Sequence, residues 1–92
     1  MVKSKSIITV VGKDQVGIIA RVTGYLYDNN VNVEDITQSI VAGFFNMMMI
    51  VDTGASKKEF LTLSKELEEL GTRIGVMIKL QREDIFESMQ RI

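Results

Sequence analysis

What most constrains this chain is its hydrophobic period. It switches from about 2 to about 3.6 residues and back, twice within 92 residues. Residues 6–12, SIITVVG, form a β-branched run that ends on Gly12. Ile7 and Val11 fall on one face, Ile8 and Val10 on the other, so the run predicts a central strand covered on both sides. Residues 13–17, KDQVG, make a polar turn, and the spacing predicts a helix over about 18–29. Ile18 or Ile19, Val22, Leu26 and Tyr25 share its apolar face. Asp14 suits an N-cap for a first turn at Gln15 to Ile18. Gly24 inside the helix costs about 1 kcal/mol against alanine, which implies that something packs closely there. Asp28, Asn29 and Asn30 end it with residues that tolerate the left-handed conformation.

The second half repeats the alternation. Residues 31–42 read as a strand whose parity shifts between Val31 and Val33 and the later Ile36 and Ile40. Such a shift predicts a bulge near Glu34-Asp35, and bulges favour edges. Gly43 turns the chain into residues 44–52, FFNMMMIVD, a second central strand. Phe45, Met47, Met49 and Val51 lie on one face, and Phe44, Met48 and Ile50 on the other with Asn46 between. Ser56 and Glu59 match a capping box for a helix over about 57–70 that Gly71 stops. Phe60, Leu63, Leu67 and Leu70 form its stripe. In residues 72–82, Ile74, Val76, Ile78 and Leu80 alternate inward, a half-solvated fourth strand. Residues 83–91 read as a short amphipathic helix with Ile85, Phe86 and Met89 on one side.

This order predicts one α+β domain over residues 1–92, a ferredoxin-like βαββαβ sandwich. Its antiparallel sheet has the order 4-1-3-2, both long helices on one face, and a short C-terminal helix. The sheet's other face keeps apolar residues on its central strands. Either the tail helix or a second subunit is expected to cover them.

Function has to be argued from a site, because this fold hosts many activities. Eleven basic and twelve acidic residues leave a net charge of −1, which gives no general attraction to nucleic acid or anionic membrane. RNA-recognition domains of this topology need stacking aromatics on strands 1 and 3 with a basic residue beside them. Strand 1 here lacks aromatics, and strand 3 lacks Lys and Arg. The chain has no His and no Cys, hence no thiol nucleophile, no thiolate metal site and no imidazole base or ligand. Acyl-phosphate hydrolases of this shape need an Arg in the first loop, which here offers Lys13. No catalytic cluster, metal or cofactor is expected. Asp14, Glu34 and Asp35 are the carboxylates near those strand ends, and the bulge accounts for two of them. No stretch approaches the roughly 18 apolar residues of a membrane span, and the apolar run after the N-terminus is too short for a signal peptide. A cytoplasmic domain is expected.

The informative stretch is Ile8 to Ile19, ITVVGKDQVGII. Gly17 opens, or just precedes, the first turn of helix 1. Unpaired backbone N–H groups and the helix dipole favour an anion there, and a carboxylate is the natural guest. The same residues also suit a plain strand-to-helix turn capped by Asp14.

Here the sequence resembles the ACT domain, a regulatory amino-acid-binding module, and in particular the small stand-alone ACT proteins of bacteria and archaea. The shared pattern is ITVVGKD-x-x-GI, then VNVEDI-x-QSI, then a Met-rich strand like FFNMMMIVD, then a segment like IFESMQRI. It runs from about Ile7 to Ile92. The first loop also resembles those of the glycine-cleavage regulator and of the formyltetrahydrofolate deformylase N-terminal domain. The resemblance implies that Gly12, Lys13, Asp14, Gln15, Val16, Gly17 and Ile18 surround a ligand's carboxylate and amine, largely through backbone groups. It implies that Asn32 contacts the ligand from a neighbouring subunit. It also implies that strand 2 pairs across a dimer, with Ile36, Gln38 and Ile40 facing the partner. Two departures stand out. Gln15-Val16 replaces a common Arg-Pro, so the loop is less rigid, and Gly12 offers no side chain where some serine-type sensors carry a polar one.

The expected protein is therefore a non-enzymatic homo-oligomer, a dimer or higher, that binds a small amino acid or related metabolite at a subunit interface. The alternative is a protein-interaction or regulatory subunit with a protein partner and no small ligand.

Overall fold

The computed structural model describes residues 5–13 and 17–82. Its elements are β1 (Lys5–Lys13), α1 (Ile18–Asp28), β2 (Asn32–Val41), β3 (Phe44–Asp52), α2 (Phe60–Ile74) and β4 (Val76–Arg82). The sheet is antiparallel with the order β2-β3-β1-β4, as the two crossovers require. The β-branched and methionine-rich runs occupy the middle of the sheet, and β2 and β4 form its edges. The register shift in β2 lies between Val33 and Asp35, where the parity changed in the sequence. Ala42 and Gly43, both at positive φ, close the two-residue turn into β3.

One face of the sheet carries the core. Ile8 and Val10 of β1, Phe45, Met47, Met49 and Val51 of β3, and Val76, Ile78 and Leu80 of β4 pack with Ile18, Val22 and Leu26 of α1 and Leu63, Leu67 and Leu70 of α2. On the opposite face Val11, Val41, Phe44, Met48 and Met77 are exposed. The segment after α1 and the loop before α2 are also joined by polar contacts. Lys57 donates its backbone N–H to Asn29 O at 3.0 Å, and Asn30 Nδ2 donates to Ala55 O at 3.0 Å. The Arg82 guanidinium lies 4.7 Å from the centre of the Phe60 ring, pinning the end of β4 to the start of α2.

Several sequence expectations are corrected. Helix α2 starts at Phe60, because Ser56 Oγ makes a local turn with Lys58, accepting its N–H at 3.1 Å, rather than capping a helix. Gly71 does not stop α2. It lies inside the helix, where a Cβ would stand 2.6 Å from Val76 O, so its lack of a side chain lets α2 approach β4. The left-handed cap is Gly75, which donates to Gly71 O. Ile74 therefore belongs to the last helical turn, and the fourth strand starts at Val76. Gly24 is not a close-packing site, since a Cβ there would meet nothing within 4 Å. Helix α1 starts at Ile18 behind Gly17, one turn later than the Asp14 cap implied. Asp14 itself lies outside the described residues. So does the short C-terminal helix expected over residues 83–91, and the described residues end with β4.

Candidate functional site

The end of β1 and the start of α1 build one side of the site. Gly12 is flanked by Phe45 of β3 and Val76 of β4. A Cβ at Gly12 would stand 2.6 Å from Val76 Cγ1, so the close approach of β4 accounts for this glycine without a ligand. Lys13 is exposed at the end of the strand. Asp14, Gln15 and Val16 lie outside the described residues. Gly17 has φ +91°, a conformation that costs a residue with a Cβ roughly 1–2 kcal/mol. Among the described residues no side chain caps the helix there. The first helical bond runs from Arg21 N to Gly17 O at 3.0 Å. The N–H groups of Ile18, Ile19 and Ala20 precede it, in the turn that a helix leaves without internal partners. Ile18 is the anchor of this turn, 3% exposed, whereas Ile19 and Ala20 face outward.

Opposite this turn lies the outer part of the sheet. Ile40 is paired with Phe45, and Gln38 with Met47, all on the helix-bearing face. Phe45 is buried, but α1 does not extend over the rim, and Ile40 remains 59% exposed. The space between is a groove of about 800 Å³. Its helical wall runs from Gly17 to Ala20, and its floor is formed by Gln38, Ser39, Ile40 and Phe45. That volume suits a small-molecule site.

The groove joins Gly17 and Ile18, expected at a ligand, to Gln38 and Ile40, expected at a subunit boundary. Ile36 continues the same rim, 39% exposed. Asn32 is not brought there. It pairs with Asp52, which faces Lys5, while the groove lies at the Gly12 end. The separation is the length of strand from Lys5 to Gly12, roughly 23 Å. Within one chain, then, Asn32 and Gly17 cannot share a small ligand. Sequence reasoning did not assign Ile19, Ala20, Ser39 and Phe45 to the site. The pairing of Ile18 with Ile19 held a signal, since the helical stripe needed only one of them.

The strongest electrostatic feature lies elsewhere. Tyr25 OH donates to Glu66 Oε1 at 2.6 Å, and Lys58 Nζ contacts the same oxygen at 2.7 Å. Burial, then the bond to Glu66, pushes the Tyr25 phenol above its usual range. The Lys58 bond, then the Tyr25 bond, holds Glu66 below the usual carboxylate range. This trio ties α1 to α2 and lines none of the groove. Among the described residues no acidic cluster is placed to hold a metal ion, and no helix is long and apolar enough to cross a membrane.

The ACT domain profile matches residues 5–81 of this chain. The chain belongs to the ACT domain family. This ACT domain is 58% identical to a UPF0237 protein of Bifidobacterium longum over 97% of the chain and 99% of the relative. It is 44% identical to one of Methanocaldococcus jannaschii over the same shares, so the group spans bacteria and archaea. Among solved structures, an ACT domain protein from Streptococcus pneumoniae superposes with a TM-score of 0.81 at 40% identity, covering 91% of this chain and 94% of that one. A glycine cleavage system transcriptional repressor superposes with a TM-score of 0.76 at 21% identity, covering 89% of this chain and 47% of that one, a likeness of fold alone. ACT domains are in general regulatory ligand-binding modules.

Proposed function

We propose that this ACT domain is a cytoplasmic, non-enzymatic homo-oligomer that binds a small amino acid or related metabolite between subunits. The observation that carries the reading is the groove itself. It joins the first turn of α1, suited to a carboxylate, to the outer rim of β2, an edge strand whose outer side pairs with no other described strand. Antiparallel pairing of two β2 strands about a two-fold axis near Ile36 sets the partner subunit's Asn32 opposite Ser39, three ladder steps from the axis once the bulge between Val33 and Asp35 is counted. That placement removes the 23 Å problem, because Asn32 reaches the groove from the other chain.

Thermal unfolding against the common amino acids tests the reading. A ligand at one hundred times its dissociation constant adds about 2.7 kcal/mol. For a domain of this size that raises the midpoint by roughly 10–20 °C. No shift across the panel, and no change in oligomeric mass, would sink the proposal.

The second reading, a regulatory subunit that binds a protein and no small ligand, is supported by Val11, Val41, Phe44, Met48 and Met77. These residues expose an apolar surface on the face away from the helices. A stoichiometric partner purified with the chain, together with a silent amino-acid panel, would favour it.

A further inference from the structure

We infer that the groove selects an amino acid, or an analogue, with an uncharged apolar side chain of several carbons, and that Ile19 and Ile40 set this selectivity. The inference rests on the sensor reading above and adds the ligand class to it.

The argument starts from the walls. Ile18, Ile19 and Ala20 form the helical side, and Ile40 beside Phe45 forms the floor. Gln38 and Ser39 are the polar residues, and both are neutral. Among the described residues that line the groove, none carries a charge. Ile19 and Ile40 remain 36% and 59% exposed. A ligand side chain lying between them therefore removes apolar surface from water on both sides. Once the ligand's carboxylate sits at the first turn of α1, its side chain is directed along this floor.

Three classes of side chain meet this surface differently. A charged one, as in aspartate or lysine, would lose hydration beside isoleucine and phenylalanine with no counter-charge among the described lining residues. Glycine and serine would leave Ile19 and Ile40 in water, gaining little. Each methylene buried against them strengthens binding about fourfold. A leucine-sized side chain should then outbind glycine by on the order of a hundredfold, less where burial is incomplete. The volume of about 800 Å³ also exceeds what glycine or serine can fill.

Calorimetric titration of the wild-type oligomer with leucine, isoleucine, valine, methionine and phenylalanine, against glycine, serine, aspartate and lysine, tests the inference. The expected result is that at least one apolar amino acid binds tenfold or more tightly than every member of the second set. Ile40→Ser should weaken that ligand by about tenfold or more, given the fourfold per methylene above. Because Ile40 also lies on the edge strand, Ile19→Ser on the helical wall serves as a second variant and should shift affinity in the same direction. Tightest binding of glycine, serine or a charged amino acid overturns the inference and leaves the sensor reading standing. Unchanged affinity in both variants overturns the role of Ile19 and Ile40. Silence with all nine compounds and an unaltered oligomer overturns both readings together.

Discussion

Two helical glycines should answer the same substitution with opposite signs. Gly71→Ala places a methyl group 2.6 Å from Val76 O and 3.0 Å from Ile78 Cγ1. An ordinary C···O contact is about 3.3–3.6 Å, so α2 must retreat from β4 by most of an ångström. The obstacle is backbone of a paired strand, which cannot rotate away. Overpacking of this kind costs typically 1–3 kcal/mol, and helix propensity returns at most about 1 kcal/mol. The net loss should be about 1–2 kcal/mol, a fall in melting midpoint of roughly 5–15 °C. Gly24→Ala adds the same methyl where nothing lies within 4 Å, in the interior of α1. It should stabilise by about 0.5–1 kcal/mol, raising the midpoint by roughly 2–8 °C. Urea unfolding of both variants, with the slope checked against wild type, separates native-state effects from changes in compactness. A neutral or stabilising Gly71→Ala at unchanged slope would show that α2 does not approach β4 as described. A destabilising Gly24→Ala would show that this surface, open in the single chain, is covered by a neighbouring chain.

Gly12→Ala should also destabilise, because its methyl meets Val76 Cγ1 and Cβ at 2.6 and 2.9 Å; a variant as stable as wild type by thermal unfolding would contradict that close approach. Ile36→Lys puts a charge on the unpaired rim of β2 and should reduce the particle mass in light scattering toward that of one chain, while an unchanged mass would place the subunit boundary elsewhere. The Tyr25–Glu66–Lys58 trio predicts two limbs of pH dependence. Glu66 has a lowered folded pKa, so its contribution is present above its ordinary value of 4.5 and is lost as pH falls through the folded pKa. Tyr25 has a raised one, so its contribution is complete below 10.0 and is lost as pH rises toward the folded pKa. Melting curves from about pH 3 to 11 should show the acid loss and the onset of the alkaline one, and Glu66→Gln should flatten the acid one; an acid limb unchanged in that variant would remove Glu66 as its source.

The fold was legible wherever one residue's neighbours in sequence decide its environment. Strands apolar on both faces, such as Ile7 to Val11 and Phe44 to Val51, belong in the middle of a sheet for any arrangement of helices. The change of parity at Glu34-Asp35 marks a bulge for the same local reason. Legibility failed where one residue type serves two purposes. Ser56 followed by Glu59 has the spacing of a capping box, yet the same hydroxyl closes a turn on Lys58. Gly71 before a β pattern reads as a helix stop, yet glycine also marks close approach, and only the position of Val76 distinguishes the two. The groove was half legible. The glycine at the helix start and the edge-strand residues could be named separately, but their meeting depends on where α1 crosses β3 and how much of β2 it leaves uncovered. Ile19, Ala20, Ser39 and Phe45 enter the site through that crossing alone.

That uncovered rim explains why a chain this small would make its ligand site a matter of assembly. A domain of this length buries only about 60–65% of its unfolded surface, so it has little core from which to carve a closed pocket. The groove beside α1 stays open on the β2 side, and Ile36 and Ile40 stay in water, unless another surface arrives. Under the proposed pairing, the second chain closes the groove and supplies Asn32 in one step. The ligand then meets a complete site only in the assembled state. Linkage requires it to tighten assembly by the same factor by which assembly tightens its own binding. A module with no catalytic cluster among its described residues would in this way convert a metabolite's concentration into a change of association.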